Sequence, residues 1–234
     1  MADDWLARLP PVQGCLFCHT EGAVSVEPGR VDGTVVIKCS HCGAAAELEA
    51  HPDAPTAWRI RYRKVNSAER YYYVARRFGG GEWLDRDEAL AISTKGYVQR
   101  QRVRQTHEGD LSWLAPVEME PLPPYLVRGE FVYLELRAAT LMRLAPKTWI
   151  FRAGQDELLD SGKLYVTDRK LHLLGQRRDW SVSWADVLDT TYEADAWQLM
   201  VAGDDQTRAF SAQRASNEID PQLVVAVIDQ LRSR

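Results

Sequence analysis

No apolar run in these 234 residues approaches the roughly 20 that a membrane-spanning helix needs. The opening Met1-Ala2-Asp3-Asp4 is acidic and lacks the basic-then-apolar order of a signal peptide, so a cytoplasmic, reducing setting is expected. Nucleotide and metalloprotease signatures are missing too: there is no G-x-x-x-x-G-K-[ST], no G-x-G-x-x-G between strand and helix, and no H-E-x-x-H. Gly79-Gly80-Gly81 is followed closely by Trp83 and lacks a lysine, which suits a turn better than a phosphate cradle. The five histidines are scattered, and His172, alternating along a strand pattern, reads as a surface or hairpin residue. Carboxylate groups such as Asp156-Glu157, Asp204-Asp205 and Asp85/Asp87/Glu88 fall in turn or cap contexts. These absences argue for a protein that is not an enzyme and has no small-molecule substrate.

Cysteine is scarce as well, and every copy lies in one pattern. Cys15 and Cys18 form one C-x2-C pair, Cys39 and Cys42 a second, with twenty residues between them. Each pair turns tightly enough to aim two thiolates at one ion, and the intervening segment suits a small hairpin. Two disulfides fit poorly in a reducing compartment, and a redox C-x-x-C would need a βαβ setting that is absent. Four thiolates complete a tetrahedral shell, so the expected cofactor is a structural Zn2+ with no open position for catalysis. Gly43, directly after Cys42, sits where such a turn needs positive φ. With little apolar sequence around the cysteines, this module is expected to depend on its metal for folding.

Residues 13–58 are expected to form a zinc ribbon, with a returning strand after Cys42 and a break at His51-Pro52-Asp53-Ala54-Pro55. Gly14-Cys15-Leu16-Phe17-Cys18, Ile37-Lys38-Cys39-Ser40-His41-Cys42-Gly43-Ala44 and Ala54-Pro55-Thr56-Ala57-Trp58 together resemble the restriction-alleviation (Lar-like) zinc ribbons. The chain departs from that pattern around the first pair and at Arg59, where the family usually has asparagine. The resemblance implies a ribbon fold; the anti-restriction context it suggests does not follow from the fold.

Net charge is only −4, but it is unevenly spread. Residues 1–55 hold 3 basic and 8 acidic side chains, whereas residues 56–110 hold 12 and 7. Residues 59–110 are expected to form a small basic ββα unit. Strands are expected at 58–65 and 70–78, the intervening turn at Asn66-Ser67-Ala68, and a helix over about 87–93 capped by Asp85. Arg100, Arg102 and Arg104 alternate, which predicts an extended segment with one basic face. Arg59, Arg61, Arg63, Lys64, Arg70, Arg76, Arg77, Arg100, Arg102 and Arg104, interleaved with tyrosine and tryptophan, are the candidate nucleic-acid contacts. The alternative is a solvated Arg face over a buried aromatic face.

Pro116, Pro121, Pro123 and Pro124 mark residues 111–125 as a Pro-rich linker or strap. Beyond it, residues 126–234 show strand patterns at 131–137, 148–152, 163–167, 170–174, 180–184, 187–192, 197–201 and 208–211. A last helix starts at Asp220-Pro221 with Leu223, Val224, Val227, Ile228 and Leu231 in one stripe. The fold class is therefore mainly β (α+β), ending in a bent barrel closed by a C-terminal helix. Gly129-Glu130-Phe131-Val132-Tyr133, the stretch from Gly162 to Leu173 and Trp184-Ala185-Asp186-Val187 resemble the GRAM and bacterial pleckstrin-homology-like (PH-like) families. That resemblance implies a binding module for proteins, peptides or phosphoinositides. Lys163, Arg169, Lys170, Arg177 and Arg178 are the candidate contacts for an anionic lipid. The domain is net acidic, so a protein partner ranks first, with nucleic acid and lipid as alternatives.

Overall fold

The computed structural model describes residues 15, 17–18, 20–54, 56–65, 81, 83–123, 125–144, 156–192, 196–203, 208–212 and 220–234. The chain divides into two units, Met1–Gln101 and Arg102–Arg234. Among the described residues it is mostly β with two α-helices. The strands expected at 70–78 and 148–152, and the turn at 66–68, lie outside the described residues.

In the first unit four strands form one antiparallel sheet in chain order: β1 (Val24–Pro28), β2 (Thr34–Cys39), β3 (Ala45–Ala50) and β4 (Trp58–Lys64). The strand expected to open a separate basic unit is thus the fourth strand of the ribbon sheet, paired along β3 from Ala45–Lys64 to Ala50–Trp58. Its period-2 pattern holds: Trp58 and Ile60 are buried, while Arg61 and Arg63 are exposed. The expectation that the ribbon has little apolar core is corrected. Phe17, Val35, Ile37, Leu48, Trp58, Ile60, Leu84 and Ile92 cluster with the four cysteines: the cysteine-bearing stretch supplies the first four, and β4 and the segment after it add the rest.

Helix α1 runs over Arg86–His107, and the division between the units falls within it. Its start follows the expected cap, with the Glu88 amide donating to Asp85 Oδ1 at 2.7 Å. Its length is a correction to both the short helix and the extended 99–104 segment. The run of Gln and Arg carries high helix propensity. Ile92, Gly96, Gln99, Val103 and Thr106 are buried at helical spacing, so the Arg-x-Arg-x-Arg alternation was coincidental with a strand period.

The second unit is a curled half-barrel of seven antiparallel strands: β5 (Val132–Arg143), β6 (Glu157–Thr167), β7 (Lys170–Gly175), β8 (Trp180–Ser183), β9 (Val187–Tyr192), β10 (Ala196–Val201) and β11 (Arg208–Ala212). Their order across the sheet is β8-β7-β6-β5-β11-β10-β9. Trp184, expected to end a strand, begins a short 3-10 turn instead and is held by its Nε1–H on the Thr167 carbonyl. Helix α2 (Pro221–Arg232) closes the sheet, with the Asp220 side chain accepting the Gln222 amide as its cap. Val224, Val227, Ile228 and Leu231 join Leu164, Leu171, Leu173, Trp197, Leu199 and Phe210 in the core. Leu223 and Ala226, on the helix's other side, meet Val103 and Trp113.

The Pro-rich stretch behaves as a strap. Val117 bridges to Val132, and Met119, Tyr125 and Leu126 pack on Val132, Tyr165 and Leu174. Those three sheet residues belong to a cluster separate from the main core, so the strap covers a second face of β5–β7.

Candidate metal centre

The two cysteine pairs come together through backbone geometry that each pair builds for itself. In the first, the Cys15 amide donates to the Thr20 carbonyl at 3.1 Å; in the second, the Cys39 amide donates to Ala44 at 2.8 Å. The Gly43 amide returns to the Cys39 carbonyl, and Gly43 holds φ +70°, the left-handed conformation expected of it. Main-chain amides point at sulfur, among them Phe17 N–H to Cys15 Sγ at 3.3 Å and Cys42 N–H to Cys39 Sγ at 3.5 Å. Such donors favour thiolate over thiol.

All four side chains are buried, and their Sγ atoms lie within 4.8 Å of one another. Cys15 and Cys42 are 3.9 Å apart at sulfur, and Cys18 and Cys39 are 3.7 Å apart. Both separations far exceed the roughly 2.05 Å of a disulfide. They match the edge of about 3.8 Å expected for sulfurs placed tetrahedrally at about 2.3 Å from one metal. Among the described residues these cysteines are the group able to hold a metal ion.

The electrostatics favour a cation. Burial pushes the Cys15 thiol well up and the Cys42 thiol up to about 12. At Cys39 burial acts in the same direction, but the amides of Cys42 and His41 outweigh it and the net shift is down. A divalent ion at the centre would offset the burial cost of ionising Cys15 and Cys42.

The described candidate nucleic-acid residues fall on β4 and on α1, and some of them already have partners. Arg59 Nε donates to Glu49 Oε2 at 2.9 Å, and Arg61 sits 3.6 Å from the same oxygen. The Arg59 guanidinium also lies 4.5 Å over the Trp83 ring, whose other neighbour is His51 at 4.6 Å. Arg63 and Lys64 are exposed on β4. Arg100 and Arg104 share a helix face, one turn apart, whereas Arg102 lies across the helix and stacks over Trp113 at 4.9 Å. Arg70, Arg76 and Arg77 lie outside the described residues.

The candidate lipid residues separate into two groups. Arg169 and Lys170 occupy the β6–β7 turn, with Arg169 reaching the Gly129 carbonyl and Asp168. Arg177 and Arg178 occupy the β7–β8 turn at the other end of β7, about 17 Å away along the strand. Lys163, opposite Leu174, is nearer that second group and pairs with Glu135 at 3.8 Å.

His172 is a correction. It is 3% exposed, and its Nε2 lies 3.1 Å from Glu130 Oε1. Glu130, itself fully buried, also accepts the Thr167 hydroxyl at 2.6 Å and the Val127 amide at 3.0 Å. The strap explains the error: Tyr125 lies 5.8 Å from both His172 and Tyr165, covering a sheet face that alternation alone presents as outward. Burial lowers the His172 pKa. At Glu130 burial acts upward, but the hydrogen bonds from Thr167, Val127 and His172 outweigh it and hold the carboxyl below its usual range.

These features define a mainly β protein with a four-cysteine cluster able to hold a metal ion and a helix-closed half-barrel. No family model and no curated protein matches the chain. Among solved structures it is similar to the C-terminal domain of an unknown protein from Leishmania infantum, at 12% identity and TM-score 0.27, over 56% of this chain and 96% of that one. No helix among the described residues is long and apolar enough to cross a membrane.

Proposed function

We propose that this chain is a non-catalytic, zinc-binding adaptor of the cytoplasm, in which a Lar-like ribbon and a PH/GRAM-like half-barrel offer docking surfaces to a protein partner. The carrying observation is the closed tetrahedral set of four buried sulfurs, 3.7 and 3.9 Å apart across the two pairs. A zinc ion held by four cysteines has no position left for water or substrate, so it shapes the ribbon and does no chemistry. The half-barrel reading is supported by the strand order β8-β7-β6-β5-β11-β10-β9 with a terminal helix, together with the local wording around Gly162–Leu173.

A protein partner is favoured over a polyanion because several of the cationic side chains are already engaged. Glu49 pairs with Arg59 and Arg61, Trp113 stacks on Arg102, and Glu135 pairs with Lys163. Polyanion binding needs such cations free to neutralise phosphates.

The test is affinity capture of the tagged full chain from its native host, with and without nuclease, alongside elemental analysis of the purified protein. The expected result is one zinc per chain and a protein partner that survives nuclease. A partner lost on nuclease treatment returns the function to nucleic acid. Iron in place of zinc, which a four-sulfur site also accommodates, overturns the metal assignment.

A further inference from the structure

Asp160 is a carboxylate in the middle of the half-barrel's β6, only 5% exposed. Its Oδ1 accepts the amides of Ser161 at 2.8 Å, Gln176 at 3.0 Å and Arg177 at 3.2 Å. Its Oδ2 accepts those of Arg177 at 3.1 Å and Arg178 at 3.0 Å. All these donors are main-chain N–H groups, converging as they do where proteins bind free oxyanions. The successive amides of 176–178 form the concavity, and the Arg177 and Arg178 side chains are exposed at its rim.

Two glycines make room for this arrangement. A Cβ on Gly175 would lie 2.2 Å from Asp160 Oδ2 and 2.2 Å from the Arg178 carbonyl. Gly162 pairs with Gly175 across the ladder, and a Cβ there would lie 1.9 Å from the Leu174 carbonyl. Burial opposes ionisation of Asp160, but the amides of Arg178, Ser161, Arg177 and Gln176 outweigh it and keep the carboxyl below its usual 3.8.

We propose that the β7–β8 turn is an oxyanion nest that the chain fills with its own Asp160, so that external phosphate enters only when that carboxylate is removed. The consequence for the molecule is specific. The Arg177/Arg178 end of the half-barrel, a candidate headgroup site by sequence, is occupied in cis and is silent toward anions in the wild type.

The experiment compares the full chain with its Asp160→Ala variant in inorganic phosphate and in chloride at equal ionic strength, following thermal unfolding of the C-terminal unit. The wild type is expected to gain only the small, non-saturating rise that phosphate gives any protein by exclusion from its surface. Asp160→Ala removes the acceptor of the Arg177 and Arg178 amides, while the Gln176 amide keeps the Ser161 carbonyl at 2.9 Å, and should melt about 5–10 °C lower in chloride. Phosphate should restore most of that loss, saturably, and adding Arg177→Gln and Arg178→Gln should weaken the restoration. If the variant does not fold in chloride, the yield of soluble protein on refolding in phosphate against chloride gives the same readout. Sedimentation with phosphatidylcholine vesicles carrying phosphatidic acid separates the sources: a sedimenting variant takes lipid-borne phosphate, and a non-sedimenting one that phosphate restores takes the free anion. Equal behaviour of the variant in the two salts overturns the proposal, as does a wild type that gains as much from phosphate as the variant.

Discussion

His172 and Glu130 show how a single residue's role depends on what covers it. Alternation along β7 places His172 opposite Leu171 and Leu173, which face the main core, and the natural reading is solvent. The strap residue Tyr125, nearly fifty positions earlier, takes the solvent's place. The pair then titrates with a definite sign. His172 has a folded pKa below its ordinary 6.5, so as pH falls through 6.5 the unfolded chain gains a proton that the folded chain does not. Stability conferred by neutral His172 is complete above pH 6.5 and is lost as pH falls toward the folded value. Glu130, lowered from 4.5, adds a second loss of the same sign below that pH. Urea midpoints of the C-terminal unit should therefore decline from about pH 6.5 downward, and His172→Gln should flatten the upper part of that decline. A midpoint that rises on acidification through this range would contradict the buried neutral histidine.

At the scale of elements, α2 was legible in full, and α1 was not. Asp220-Pro221 is a cap followed by a residue that lacks an amide to satisfy, and the apolar stripe behind it has one period. Asp220→Ala removes the acceptor of the Gln222 amide and should cost about 0.5–2 kcal/mol, read as a lower urea midpoint for the C-terminal unit. No change in midpoint would mean the cap is redundant with the packing of Leu223 and Val224. In α1 the polar face obscured the period. Arginine at 100, 102 and 104 satisfies a strand template, and only the burial of Gln99, Val103 and Thr106 reveals helical spacing. The polar identity of Gln99 and Thr106 hid two of those three positions from any hydrophobic pattern. Thr106 is accommodated because its hydroxyl donates to the Arg102 carbonyl and accepts the Trp113 Nε1–H.

The whole molecule joins a unit organised around four sulfurs to a unit organised around an apolar core, and these respond differently to metal removal. The sulfur-lined core of the first unit includes Phe17, Leu48 and Trp58, yet Cys15, Cys18, Cys39 and Cys42 sit among them. On the zinc reading, stripping the ion would leave four buried thiols in place of coordination bonds. Chelation, or Cys39→Ala, should abolish metal binding and open residues 15–64 to protease while residues 132–234 stay protected, as mass mapping of the fragments will read. Equal protection of both units after complete loss of metal would show that the apolar cluster alone sustains the ribbon. The basic residues also belong to this scale. As a list they suggest a polyanion surface; in the fold, Glu49 and Trp113 engage three of them.

What the sequence by itself determined are features whose cause is local: the C-x2-C pairs and their turns, Gly43 at positive φ, the Asp220 cap and the apolar stripe of α2. Spacing and residue chemistry suffice there because the interacting groups lie within a few positions of one another. The tertiary structure decided what depends on distant partners. It placed β4 in the ribbon sheet, gave the cysteine module an apolar core, and buried His172 beneath the strap. It also turned Asp160 into the resident anion of a loop sixteen residues away. In each case a polar or aromatic group changes meaning when another part of the chain removes it from water.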